Sequence, residues 1–282
     1  MIKLLFFCMI MQVFLGCKTL DPNEEIPAYL YINNPSVVNA NSSLGSTSSK
    51  ITDAYVFVGN DFWGVFELPA LVPYFGTDST KIVVQAAIKE NGIGTTRKVY
   101  PMYKSIIKKY KFIPQNIDTL MLVTTYNSDV VALVNEDFEV GNVFTRVGGD
   151  TTMLLSTSGT DLFEGNRSAI IKMDTARPTA AFITMGNYVL ATGSYTNVFL
   201  EINYKADVDF QLYFVATNGF NSQPYYKLNI TPKENWNKIY VNLTTDMANT
   251  QPNSFNVLIK SKLATGALNS YVAFDNFKLL YN

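Results

Sequence analysis

Leu200-Glu201-Ile202-Asn203-Tyr204 and Asp209-Phe210-Gln211-Leu212-Tyr213-Phe214 decide the fold class. Leu200, Ile202 and Tyr204 alternate with Glu201 and Asn203, and Phe210, Leu212 and Phe214 alternate with Asp209 and Gln211. A period of two puts each set on its own side of a β-strand. Ile239, Val241 and Leu243 repeat the device, as do Phe255, Val257 and Ile259. Half-polar alternation belongs to antiparallel sheets with one face on a core and one in water. Glu201, Asn203, Asp209 and Gln211 are therefore expected on a wet face.

The same signals extend outward. Asp53 to Val58 and Phe62 to Leu68 flank Gly59-Asn60-Asp61, a hairpin turn. Ile82 to Ile88 alternates and stops at Asn91-Gly92, and Tyr29 to Ile32, Lys98 to Tyr103, Tyr110 to Ile113 and Leu120 to Tyr126 complete about seven strands. That number predicts an immunoglobulin-like sandwich over residues 28–128. Asn33 to Ser49, rich in Asn and Ser, is expected to be a loop. A second sandwich follows over residues 135–282. No long helical period and no internal repeat interrupts the pattern, so the fold class is all-β with two β-sandwich domains.

The chain has 282 residues, no histidine, and two cysteines, Cys8 and Cys17. After Cys17 there is no thiol and no imidazole, which excludes Ser-His-Asp and Cys-His nucleophiles, His or Cys metal sites and disulfides. Charged residues are 16% of the chain and the net charge is −1. There are 27 Asn against 22 Lys and Arg, so neutral amides carry much of the polarity. The densest basic cluster is Lys104, Lys108, Lys109 and Lys111. It is too small for a phosphate-backbone footprint and reads as a solvated, partly helical or irregular segment, with no nucleic-acid partner. Gly92-x-Gly94 and Gly148-Gly149-Asp150 lack the following helix that phosphate cradling needs, and read as turns.

Lys3 followed by the apolar stretch Leu4 to Phe14 suits a signal peptide and is too short to span a bilayer, which takes about 20 residues. Phe14-Leu15-Gly16-Cys17 resembles a bacterial lipobox, with Phe14 where that family prefers Leu. The resemblance implies cleavage after residue 16 and lipidation of Cys17 by a diacylglycerol thioether and palmitate. An ordinary signal peptide with a coincidental cysteine is the alternative. Residues 17–27 hold Asp21, Glu24, Glu25 and two prolines, a solvated tether. Scattered acidic residues there resemble the export signal of Bacteroidota surface lipoproteins. This implies an outer-membrane, lipid-anchored protein at the cell surface, with retention on the periplasmic face as the alternative. Its membrane partner is then reached through the anchor.

Phe138-Glu139, Phe163-Glu164-Gly165-Asn166-Arg167-Ser168, Trp236 to Leu243 and Tyr271 to Phe277 resemble a galactose-binding-like jelly roll of the carbohydrate-binding-module type. The whole layout is similar to uncharacterised Bacteroidota surface lipoproteins. The module resemblance covers residues 135–282 and implies a structural calcium on Glu139, Glu164 and Asp275. Calcium takes six to eight oxygens, which a site without His and Cys can supply. Asp275 shares strand parity with Ala273, Phe277 and Leu279, so it is expected to point inward unless a bulge intervenes. The alternative is a carboxylate that accepts backbone N–H bonds or pairs with Arg167. Trp236, by the same resemblance, closes one end of the core, and Trp63 is expected in the core of the first sandwich.

Rings on polar loops, beside amides, are what sugar recognition needs. Phe220, Tyr225, Tyr226 and Tyr195 are the ligand-binding candidates; capping of the sandwich ends is the alternative for each. The functional expectation is a non-enzymatic envelope protein that presents a glycan-binding jelly roll on a spacer domain, with no catalytic residue and no catalytic cofactor. An assembly lipoprotein that docks an envelope protein is the alternative. A carboxylate-based glycosidase, which needs only two acidic groups, comes third.

Overall fold

The computed structural model describes residues 24–282 apart from 39–41, 77, 191, 192 and 194. The signal peptide, Cys8, the lipobox with Cys17 and most of the tether lie outside the described residues. The strands fall in two sandwiches, as the alternation requires. The first is built from β1 (Ala28–Val37), β2 (Asp53–Val58), β3 (Asp61–Glu67), β4 (Ala70–Tyr74), β5 (Ser79–Lys89), β6 (Arg97–Val99), β7 (Ile106–Lys111) and β8 (Ile117–Thr124). One sheet has the order β4-β1-β8, with β1 antiparallel to β4 and parallel to β8. The other has the order β3-β2-β5-β6, with β7 also on β5. The hairpin at Gly59 is present, with Gly59 at φ 64°, the left-handed value that glycine adopts at no steric cost.

Two expectations for this half are corrected. Asn33 to Val37 is strand, because β8 pairs along it through Met121, Val123 and Thr124 and holds its backbone extended despite the Asn-Asn-Pro-Ser composition. The lysine cluster is strand too: Lys108, Lys109 and Lys111 belong to β7, paired along β5 from Ser79 to Val84. Trp63 is likewise not a core residue. It is 38% exposed, lies 5.7 Å from the Tyr74 ring, and donates Nε1–H to the carbonyl of Pro73 at 2.9 Å. It fastens β3 to β4 across the sandwich edge.

The second sandwich takes up the chain at Val131. It contains β9 (Val131–Glu136), β10 (Phe144–Gly149), β11 (Met153–Ser156), β12 (Ser168–Asp174), β13 (Thr179–Thr184), β14 (Val198–Ala206), β15 (Phe210–Asn218), β16 (Asn221–Ile230) and β17 (Lys233–Asn242). The helix α1 (Thr244–Thr250), β18 (Ser254–Lys262) and β19 (Asn269–Tyr281) complete it. The front sheet has the order β10-β13-β18-β15-β16, and the back sheet β11-β12-β19-β14-β17 with β9 on the free part of β19. From β12 onward the chain passes repeatedly between the sheets, the jelly-roll route. Between them pack Phe210 against Phe274 (5.2 Å, 88°), Phe144 against Phe277 (4.9 Å, 79°), and Phe214 against Phe255. Burying a phenylalanine of this kind contributes about 1.5–3 kcal/mol.

The outward face of the back sheet is not wet. Phe199, Tyr240 and Leu280 join the core of the first sandwich, and Glu201, Asn203, Lys238 and Lys278 on the same face are buried with them. This corrects the expectation for Glu201 and Asn203; Gln211 and Asp209, on the front sheet, do face solvent. The polar face tolerates burial because the first sandwich brings partners to it. Tyr100 and Tyr126 donate their hydroxyls to Glu201 at 2.7 and 3.0 Å, and Lys238 Nζ lies 2.6 Å from Glu201 Oε2. Asn203 donates to Ser48 Oγ at 3.0 Å, and the Asn91 N–H bonds the carbonyl of Tyr240 at 2.8 Å. Burial raises the proton affinity of Glu201, but Lys238 and Lys278 outweigh it and hold the carboxyl below its ordinary range.

Candidate functional site

Three carboxylates singled out by sequence lie around one loop. Gly165 takes φ 63°, and a Cβ there would sit 2.2 Å from Glu139 Oε1. Glu139 can approach so closely because residue 165 has no side chain. It accepts the backbone N–H groups of Asn166 (2.7 Å) and Arg167 (3.0 Å), which hold its carboxyl below the ordinary range. Ser168 donates Oγ–H to Asp275 Oδ2 at 2.8 Å, and the Glu164 N–H reaches the same oxygen at 3.2 Å. Asp275 Oδ1 accepts the Asn276 N–H, and Asn276 Nδ2 donates to Glu164 Oε2 at 2.8 Å.

The parity expected for Asp275 is broken by a bulge. Asn276 has φ 46°, and the β14–β19 register slips between Glu201 and Asn203. Val272 and Phe274 enter the core before the bulge, Phe277 and Leu279 after it, and Asp275 turns under the Glu164–Ser168 loop. Burial raises the Asp275 carboxyl to about 6, against the lowering effect of its three hydrogen-bond donors. Among the described residues no three acidic groups converge as a metal site. Five of the six carboxylate oxygens of Glu139, Glu164 and Asp275 accept protein N–H and O–H groups. They form a hydrogen-bonded clasp that closes the loop.

The ligand candidates separate. Phe220 occupies the β15–β16 turn and is wholly exposed, at 107%. Tyr225 and Tyr226 are not in a loop but in β16, the edge strand of the front sheet. They lie on opposite faces of it: Tyr225 pairs with core-facing Phe214, whereas Tyr226 pairs with outward-facing Tyr213. Tyr195 is half buried and packs against the jelly-roll core. Trp236 is also half buried and packs against Phe163, ring centroids 5.5 Å apart and tilted by 54°. Of the four, Tyr226 shares a surface with Tyr213.

That surface is the outer face of the front sheet. A bulge between Leu212 and Tyr213 leaves Lys227 as an extra residue on β16, its ammonium paired with Asp246. Tyr226 is thereby brought edge-on to Tyr213, centroids 5.6 Å apart at 78°. Lys260 Nζ lies 4.7 Å from the Tyr213 centroid, and the Tyr213 hydroxyl donates to Gln211 Oε1 at 2.9 Å. Gln211 and Lys260 continue into a cavity of about 720 Å³ whose walls include Asn229, Asp209, Ala181 and Lys262. Asp209 accepts Asn229 Nδ2 at 2.8 Å, and Asp207, on the same wall, accepts the Tyr271 N–H at 2.7 Å. Alternation with Phe210, Leu212 and Phe214 would have placed Gln211 and Tyr213 outward from sequence alone. Lys260 is placed outward by the same alternation with Phe255, Val257 and Ile259; that it lies beside Gln211 and Tyr213 depends on the β15–β18 pairing.

No protein-family model and no curated protein sequence matches the chain. Among solved structures, the chain is similar to the family 11 carbohydrate-binding module from Clostridium thermocellum, in complex with a β-1,3-1,4-mixed-linked tetrasaccharide. The identity is 12%, over 53% of this chain and 94% of that one, with a TM-score of 0.39. It is also similar to TmCBM61 in complex with β-1,4-galactotriose, at 10% identity over 52% and 94% of the two chains and a TM-score of 0.35. The family 29 module CBM29-2 is a third, at 10% identity over 54% and 91% and a TM-score of 0.34.

Proposed function

We propose that the protein is a non-catalytic binding protein of the cell envelope, anchored through Cys17, whose jelly roll holds a glycan on its front sheet. The observation that carries this reading is the Tyr213–Tyr226 pair, with Lys260 and Gln211, opening into a cavity bordered by amides and a small apolar wall. Rings supply flat apolar area to a sugar face, and amides and ammonium groups pair with its hydroxyls. A glycan array probed with the wild-type protein and with Tyr213→Ala tests it. Binding that is lost in the variant supports the reading; binding to no glycan removes it. Radiolabelled palmitate incorporation that disappears in Cys17→Ser tests the anchor.

A second reading, docking of an envelope protein, is favoured by the first sandwich. Phe62, Phe57, Val83 and Ile107 are direct cross-strand neighbours along β3-β2-β5-β7, facing away from the core, with Phe62 and Ile107 exposed. A continuous apolar row of this kind is a feature of contact surfaces. Retention of a surface protein by wild type but not by Phe62→Ser would support this second reading.

A further inference from the structure

Where the two sandwiches meet, β17 and the β16–β17 turn face the segments around Lys50 and Asn91, and a cavity of about 310 Å³ opens between them. Its walls carry four lysines: Lys50 and Lys89 from the first sandwich, Lys233 and Lys238 from the second. No aspartate or glutamate lines it. Two of the lysines have countercharges that do not line the cavity. Glu201 lies 2.6 Å from Lys238, and Glu67 lies 3.8 Å from Lys89 while also pairing with Arg97 at 3.0 Å. Among the described residues Lys50 and Lys233 form no ion pair; Lys50 donates to the side-chain oxygen of Asn237, another wall residue.

Lys238 is the second, independent sign. Its side chain is only 2% exposed, and Glu201 meets it on one side. Glu201 Oε2, at 2.6 Å, meets one of its three ammonium hydrogens. A buried ammonium held by one carboxylate keeps donor capacity for a further acceptor, and the only charged side chains lining this cavity are lysines. The lysines also act on one another: burial first, then Lys233 and Lys89, lower the proton affinity of Lys50. Such mutual repulsion is relieved by an anion between them.

We infer that this seam is a binding site for an oxyanion, the phosphate, sulfate or carboxylate group of a small molecule. Lys50, Lys89 and Lys233 supply charge at its mouth, and Lys238 a donor at its floor. Its volume suits an inorganic anion or a single acidic sugar, not a polymer. Because each sandwich contributes two of the lysines, an occupant bridges the two domains. The site is distinct from the front-sheet surface, although Asn229 borders both cavities.

The test is calorimetric titration of the full chain with inorganic phosphate, sulfate and glucuronate, at ionic strength matched with sodium chloride. Lys50→Ala and Lys233→Ala are compared with the wild type. Both lysines are exposed, and retention of the wild-type melting temperature in chloride establishes that the variants are folded. Saturable binding of one anion per chain, weakened about tenfold or more by each variant, is the expected result, since each removes one charge-assisted hydrogen bond. Phosphate or sulfate binding assigns an inorganic or ester group, and glucuronate binding an acidic sugar. Absence of saturable binding for all three, or binding unchanged in both variants, overturns the inference.

Discussion

Glu201 and Tyr100 stand on different sandwiches and share a hydrogen bond of 2.7 Å, both side chains sealed from water. The carboxylate also takes the Tyr126 hydroxyl and the Lys238 ammonium. Removing one member leaves the others buried without compensation. Glu201→Ala is expected to destabilise the protein by about 3–5 kcal/mol, the range for breaking a buried pair by removing one partner. The double variant Glu201→Gln with Lys238→Met should lose less than the sum of the single changes, because the ammonium that Glu201 pairs directly leaves together with its carboxylate. Urea unfolding of the wild type, Glu201→Ala, Glu201→Gln, Lys238→Met and the double variant measures both.

The seam also has a pH signature. Burial lowers the Lys278 ammonium to about 8, an effect that Glu201 opposes and Lys238 reinforces. Unfolded, the same lysine titrates near ~10.4. Between these values the unfolded chain binds more protons, so stability rises with pH across that window. The rise ends where the buried hydroxyls of Tyr100, Tyr103 and Tyr126, all raised by burial first, remain protonated while the unfolded tyrosines ionise near ~10. Urea midpoints at pH 7.5 and 9.5 should increase for wild type and stay level for Lys278→Met.

These relationships mark the limit of what the sequence reveals. Alternation around Leu200 and Phe210 identifies the strands and which residues share a face, since a period of two is a local property. Whether the second face meets water or protein is not local. Glu201 and Gln211 look alike in the pattern, yet Tyr100 and Tyr126, at 101 and 75 residues' separation, cover only Glu201. Bulges hide for a related reason. One extra residue, Lys227 or Asn276, leaves no compositional trace, but it decides which side Tyr226 and Asp275 take. Tyr226 was legible as a ligand candidate; its partners Tyr213 and Lys260 depended on pairing across three strands.

Asp275 has the opposite linkage to Lys278. Its carboxyl, raised by burial to about 6, lies above the value of about 3.9 for an unfolded aspartate. The native chain binds more protons between these values, so this group's contribution is full below about pH 4 and is lost as pH rises through 6. A bound cation would cancel that loss by favouring the ionised carboxylate. Because the clasp oxygens are occupied by N–H and O–H donors, millimolar calcium and excess chelator are expected to give the same melting temperature at pH 7. A calcium-dependent rise that Asp275→Ala removes would contradict this reading.

Gly165 is the hinge of the same clasp. Its φ of 63° is strained for other residues, and an added Cβ would meet Glu139 Oε1 at 2.2 Å. Gly165→Ala should cost about 1–3 kcal/mol of stability from the backbone alone. The expelled Glu139 would also release the Asn166 and Arg167 amides, which faster hydrogen exchange at those two positions would register. Gly159→Ala, in the same loop but with no atom within 4 Å of the new Cβ and no left-handed φ, serves as the control and should change neither readout.

Tyr225 and Tyr226 are adjacent in sequence, similarly exposed at 43% and 56%, and chemically identical, yet β16 turns them to opposite faces. That makes them an internal control for where a ligand sits. If the front sheet holds a glycan, Tyr226→Ala removes one ring of the Tyr213 pair. It should then weaken binding about tenfold, in keeping with 1–2 kcal/mol for a stacking ring. Tyr225→Ala should change it less than about twofold, because its ring leaves from the side of Phe214. Lys260→Met keeps the aliphatic stem over Tyr213 but removes the charge, so it separates packing from cation–π and hydrogen-bond contributions. Isothermal titration with any glycan that the wild type binds measures all three. Equal losses in Tyr225→Ala and Tyr226→Ala would place the ligand at the edge or turn, near Phe220, and not on the open sheet face.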